Sequence, residues 1–181
     1  MGIPRMTEPT DADLVRRILA DRSADATAAL YRRHWAGAWR AAFAISGRRA
    51  LADDVAQDGF LKALRALARF DASRPFSPWL HRIVVNLTLN ALRDERHEIE
   101  LNDLPQHGDW FPEMGIDPDL MAALAALHVD RRTVVVLHHW FGYSTAELAE
   151  LLAVPVGTVY SRLGRAMTEL RTSLEVTNVK P

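Results

Sequence analysis

"WLHRIVVNLTLNALRD", residues 79–94, is the stretch on which the reading of this chain turns. Most of it is apolar, as a helix packed in a core should be. Yet Arg82, Asn86, Asn90 and Arg93 interrupt it at spacings of four, four and three. At about 100° per residue, the four fall within roughly 80° of one another on one helical face. A helix that only packs a core has no use for such a row. The pattern predicts one face buried and one edge kept for a polar partner.

The rest of the chain has the same helical character. It has 181 residues, of which 49% are apolar, enough for one domain or two small ones. The only β-branched clusters, "IVVN" and "TVVVLHH", lie inside longer helical periodicities, so an all-α fold is expected. A first helix starts near Thr10, where "TDAD" forms a capping box with Asp in place of Glu. A second spans about Asp25 to Ser46, with Leu30, Trp35, Trp39 and Phe43 facing inward, and a third about Ala50 to Arg69. The prolines of "FDASRPFSP" make a loop, after which the opening helix runs from Ser77 or Pro78 to about His97. Residues 98–118 hold three prolines and two glycines without a helical period, and read as an extended linker. Helices resume near Asp119. The expected architecture is two helical domains, 10–97 and 119–174, joined by the linker 98–118.

Composition narrows the function. There is no Cys, which excludes disulfides and thiolate metal sites. No apolar run reaches the roughly 18 to 20 residues of a membrane span. The start lacks a secretory signal, although Met6 is a plausible alternative to Met1. A cytoplasmic protein fits these features. The net charge of −1 hides a segregation of charge. Residues 22–96 carry 13 Lys and Arg against 7 Asp and Glu, whereas residues 97–119 carry 7 acidic and no basic residues. Three electrostatic environments follow one another: a basic block, an acidic connector and a near-neutral block.

Residues 143–171 have the pattern of a helix-turn-helix. Ser144 and Glu147 form a capping box, "AVP" makes the turn, and Pro155 suits the first turn of the next helix. Val159, Leu163, Ala166 and Leu170 make its buried stripe. Its other face carries Thr158, Tyr160, Ser161, Arg162 and Arg165. Hydroxyls and guanidiniums at the leading end of such a helix can reach phosphates and base edges in the major groove.

The two blocks together are specific. "ADDVAQDGFLKALR" (52–65) with "SPWLHRIVVNLTLNALRD" (77–94) closely resembles region 2 of the extracytoplasmic-function sigma factors of bacteria. "LHVDRRTVVVLHHWFGYSTAELAELLAVPVGTVYSRLGRAMTELR" (127–171) resembles their region 4. The resemblance implies binding to core RNA polymerase through Asp53, Asp54, Gln57, Asp58, Phe60 and Leu61. It implies reading of a −10 promoter element by Arg82, Asn86, Asn90 and Arg93, with Phe76, Ser77 and His81 helping to hold an extruded base. It assigns a −35 element to Thr158, Tyr160, Ser161, Arg162 and Arg165. The acidic linker would thread a basic polymerase channel, and an anti-sigma partner would control the chain. No cofactor, metal, catalysis or small-molecule substrate is implied.

Five positions depart from the family pattern. His128 replaces a usual Pro, Tyr160 a common basic residue, and Gly59 a larger residue, Ala56 is smaller than usual, and Gly164 leaves a bare spot on the recognition helix. Two rival readings remain: a conventional helix-turn-helix regulator, and an interaction module that does not read DNA. The first gives no role to the 52–65 block or to the loop and helix of 70–94, and the Arg-bearing recognition face argues against the second. His138 and His139 are adjacent and point about 100° apart, so they do not form a metal pair.

Overall fold

The computed structural model describes residues 8–98 and 117–178, and they contain eight α-helices and one short 3-10 turn, with no strand among them. Most of the acidic linker and both candidate start residues lie outside the described residues.

Helix α1 (Asp11–Asp21) opens on the expected capping box. Thr10 accepts from the Asp13 amide, and the Asp13 carboxylate accepts from the Thr10 amide in return. Asp11 then binds Arg33 and His34 of α2 (Ala24–Ser46), fixing α1 across it. Helix α2 ends at Gly47 in the left-handed conformation, the usual helix stop. Helix α3 (Arg49–Ala66) runs into a 3-10 turn over Leu67–Arg69. Helix α4 (Phe76–Glu98) starts one residue earlier than the sequence suggests, so Phe76 is helical rather than part of the loop. Pro78 is tolerated because it lies in the first turn.

These four helices enclose a core of Leu14, Leu30, Phe43, Phe60, Phe76, Leu80 and Val84, among others. Trp35 and Trp39 are half-buried at its rim, where Trp39 stacks on Phe43 at 4.9 Å.

The second half comprises α5 (Pro118–Ala126), α6 (Val129–His139), α7 (Thr145–Leu152) and α8 (Val156–Asn178). His128 caps α6 by accepting from the Asp130 amide at 3.3 Å, which accounts for a histidine where the family has proline. The Ser144–Glu147 capping box starts α7. Pro155 lies one residue before α8 rather than inside it, and its carbonyl accepts from the Thr158 amide. The stripe Val159, Leu163, Ala166 and Leu170 is buried.

The second core is not separate from the first element group. Ala44 and Ile45 of α2 and Val85 of α4 are buried among Met121, Leu124, Val134, Leu137, Leu148 and Val159. Helix α2 packs on α6, and α4 touches α7. No helix among the described residues is long and apolar enough to cross a membrane.

Candidate nucleic-acid interface

The ladder on α4 is an exposed edge. Arg82, Asn86, Asn90 and Arg93 all face solvent, while Leu80, Val84, Val85 and Thr88 on the opposite side are buried. Thr88 satisfies its hydroxyl by donating to the Val84 carbonyl at 2.9 Å, so the packed face carries no unpaired polar group there. Arg93 donates to Asn90 Oδ1 at 3.1 Å. Arg82 is committed elsewhere: its guanidinium donates to the Glu150 carbonyl on α7 at 3.1 Å.

The three residues expected to hold an extruded base are placed differently. Ser77 is half-exposed in the first turn of α4. Phe76 is 1% exposed, with Phe70 edge-on at 5.4 Å and Trp79 at 5.6 Å. His81 is 5% exposed, and its Nδ1 is 2.9 Å from the Tyr143 hydroxyl. Phe76 and His81 are thus core side chains in this arrangement, because apolar and aromatic neighbours enclose them. The sequence expectation set both at a pocket for an extruded base; in this arrangement both are enclosed.

The α3 face divides in the same way. Asp53, Asp54, Gln57 and Leu61 are exposed and Asp58 is half-exposed. Asp53 accepts from Trp39 Nε1 at 2.6 Å, and Asp58 pairs with Lys62 at 2.9 Å. Phe60 is 3% exposed, with its ring centroid 4.9 Å from Tyr31 and 6.2 Å from Trp35, and lies beneath the exposed side chains of this face. Tyr31 and Leu61, 40% and 46% exposed, add apolar area beside the carboxylates.

On α8, Tyr160, Ser161 and Arg165 are exposed, and Thr158 is half-exposed. The Tyr160 hydroxyl accepts from Thr145 on α7 at 3.2 Å, which holds the ring against the turn. Arg162 differs from the free reader expected of it: Asp130 on α6 binds its guanidinium at 2.8 Å. Arg131 and Glu169 form a second α6–α8 pair. Sequence reasoning missed Tyr143, Thr145 and Asp130, and no local pattern marks them.

Two exposed polar edges, one on a buried-faced helix and one on the second helix of a helix-turn-helix, define an all-helical protein built to meet nucleic acid. Comparison with known proteins gives the family. The model of sigma-70 region 2 matches residues 30–98, and that of sigma-70 region 4 matches residues 118–170. The ECF RNA polymerase sigma factor SigM of Mycobacterium tuberculosis is 36% identical, over 94% of this chain and 87% of that protein. SigE of Mycolicibacterium smegmatis is 34% identical over 78% of this chain, a match spanning only 59% of SigE. The solved structure of CnrH, a sigma factor of Cupriavidus metallidurans, in complex with the cytosolic domain of CnrY superposes with a TM-score of 0.65. It is 28% identical and covers 92% of this chain and 97% of that one. The chain belongs to the ECF RNA polymerase sigma factors.

Proposed function

We propose that this chain is an alternative sigma factor that binds core RNA polymerase and starts transcription at promoters with its own −10 and −35 elements. Region 2 would occupy 10–97, the linker 98–118 and region 4 residues 119–174. The exposed ladder on α4 carries the reading. Asn offers a donor and an acceptor together to a base edge, and Arg reaches phosphate. Asn86, Asn90 and Arg93 are therefore assigned to the −10 element. Tyr160, Ser161 and Arg165, with Thr158, take the −35 element. Arg82 and Arg162 join them once released from Glu150 and Asp130.

The face of Asp53, Asp54, Gln57, Asp58 and Leu61 is assigned to core polymerase, with Phe60 beneath it. The chain acts in the cytoplasm beside the polymerase, without a catalytic step of its own. An anti-sigma factor controls it, a reading supported by the likeness to CnrH bound to the cytosolic domain of CnrY.

Run-off transcription tests this. Purified chain and bacterial core polymerase on genomic fragments should give specific transcripts that need both components. Tight duplex binding by the chain alone, with no transcript, would establish a conventional regulator instead.

A further inference from the structure

The exposed side of α8 is divided lengthwise. Val156, Tyr160 and Met167, spaced by four and seven, fall within about 40° of one another on one edge. They are 45%, 62% and 42% exposed, so three of the seven large apolar side chains exposed among the described residues share one edge of one helix. Thr158, Arg162 and Arg165 follow the other edge. Between the edges stand Gly157 and Gly164, where an added methyl group would meet nothing within 4 Å. The Tyr160 hydroxyl is already engaged, accepting from Thr145 on α7 at 3.2 Å, so what this residue presents outward is its ring.

We propose that the apolar edge reads thymine through its C5-methyl group, with Val156 and Tyr160 in contact with that methyl in the major groove. The proposal rests on the −35 assignment above and names the base feature that the assignment leaves open. Charge chooses the occupant. From Val156 to Thr168 the helix carries two Arg and no acidic residue. The first acid, Glu169, is paired with Arg131 of α6. An apolar protein surface laid on this face would desolvate cations without offering them a counter-charge. Duplex DNA supplies both halves of the match: phosphates for the cationic edge, and the thymine methyl as the apolar group on a base edge.

Specificity follows from the chemistry of the edge. A cation at position 160 would add attraction to any phosphate, whatever the sequence. A ring with its hydroxyl tied back gains only where an apolar group is offered, and among the four unmodified bases only thymine offers a methyl in the major groove. The glycines serve the same contact. Without a Cβ at 157 and 164 the helix backbone can come close to the base pairs, which brings the short Val156 side chain within reach. Thr145 is then a positioning residue: it meets no base, but its hydroxyl fixes the ring that does.

The test uses the full chain with core polymerase on a promoter found by run-off transcription. Each thymine of the −35 segment, on either strand, is replaced singly by deoxyuridine, which removes the methyl and keeps every hydrogen-bonding group. Promoter binding should weaken about fourfold at one or two positions, the worth of one buried methyl group. Val156→Ala with Tyr160→Ala should bind the thymine and deoxyuridine promoters equally. Tyr160→Arg should lose the discrimination and steepen the slope of log affinity against log salt by about 1. Thr145→Val should reduce the discrimination and Thr145→Ser should keep it. Thermal melts by circular dichroism would show that each variant is folded.

Specific transcription that ignores every thymine methyl would overturn the methyl contact and leave the sigma reading standing. A methyl effect that the double alanine variant retains would also overturn it. Methyl-dependent duplex binding by the chain alone, with no transcript from any fragment, would support the contact and overturn the sigma reading on which its −35 placement rests.

Discussion

Gly59 of α3 lies against Val84 of α4: a methyl group on the glycine would stand 2.6 Å from Val84 Cγ2. Helix propensity alone favours Ala at a mid-helix glycine by about 1 kcal/mol. Packing reverses the sign. Val84 is fully buried and, being β-branched in a helix, has little freedom to turn away. Overpacking of this kind costs about 1–3 kcal/mol. Gly59→Ala should therefore lower stability by about 1 kcal/mol net, read from urea midpoints. A gain would mean that α3 and α4 can separate without loss.

The turn of the helix-turn-helix stores strain. Ala153 ends α7 at φ 53° and ψ 45°, a conformation that favours glycine. For an L-residue this region costs roughly 1–2 kcal/mol. Ala153→Gly should raise the unfolding free energy by about 1 kcal/mol, because the folded-state relief exceeds the added flexibility of the unfolded chain. An unchanged or lower midpoint would show that the turn carries no such strain.

Phe60 and Leu61 are neighbours in sequence with opposite environments. Phe60→Ala should cost about 3–5 kcal/mol of stability, as a large-to-small change in a core does. Leu61→Glu should leave stability within about 0.5 kcal/mol. It should weaken association with core polymerase more than about tenfold if Leu61 lies in a buried contact. Equilibrium binding beside a denaturation curve separates the two effects.

Asp130 restrains Arg162 at 2.8 Å, with the two side chains 41% and 26% exposed. An ion pair this open contributes about 0–1 kcal/mol, so Asp130→Asn should hardly change the melting point. It should free one cation on α8, the helix proposed to read the −35 element. Affinity for duplex DNA should rise, and the slope of log affinity against log salt should steepen by about 1. Measurement across 50–200 mM salt decides it, and a slope that stays fixed would place Arg162 outside the DNA footprint.

Burial, with the charge of nearby His34, pushes His81 down from 6.5 to about 4. Burial and then Glu147 push Tyr143 up to about 12, so the pair is neutral at pH 7. The groups around it are His34 of α2, paired with Asp11 of α1, and Glu147 of α7. Between pH 6.5 and about 4 the unfolded chain binds a proton at this position that the folded chain refuses, so stability falls with acidification. The full loss corresponds to about 3 kcal/mol. Urea midpoints at pH 7 and pH 4.5 should differ more for wild type than for His81→Leu. The titrations of Asp11 and Glu147 are common to both, and equal differences would remove His81 as the cause.

Much of this was legible beforehand because the signals are local. Thr10 with Asp13, and Ser144 with Glu147, close their capping boxes over three residues. The spacing of Val159, Leu163, Ala166 and Leu170 gives their common face without knowledge of any partner. The ladder Arg82, Asn86, Asn90 and Arg93 shares an exposed edge for the same reason. What was not legible depends on distant residues. His81 and Phe76 read as polar or loop groups in sequence, yet aromatic neighbours from other elements bury them.

The sequence by itself determined the helices, their caps, their buried stripes and the family, because all of these depend on side chains a few residues apart. The tertiary structure decided which charged and polar groups remain free. Asp53 is taken by Trp39 at a separation of 14 residues, Arg162 by Asp130 at 32, and His81 by Tyr143 at 62. Hydrogen-bonding groups are satisfied by whatever the packing brings within about 3 Å, and helical periodicity holds no record of that.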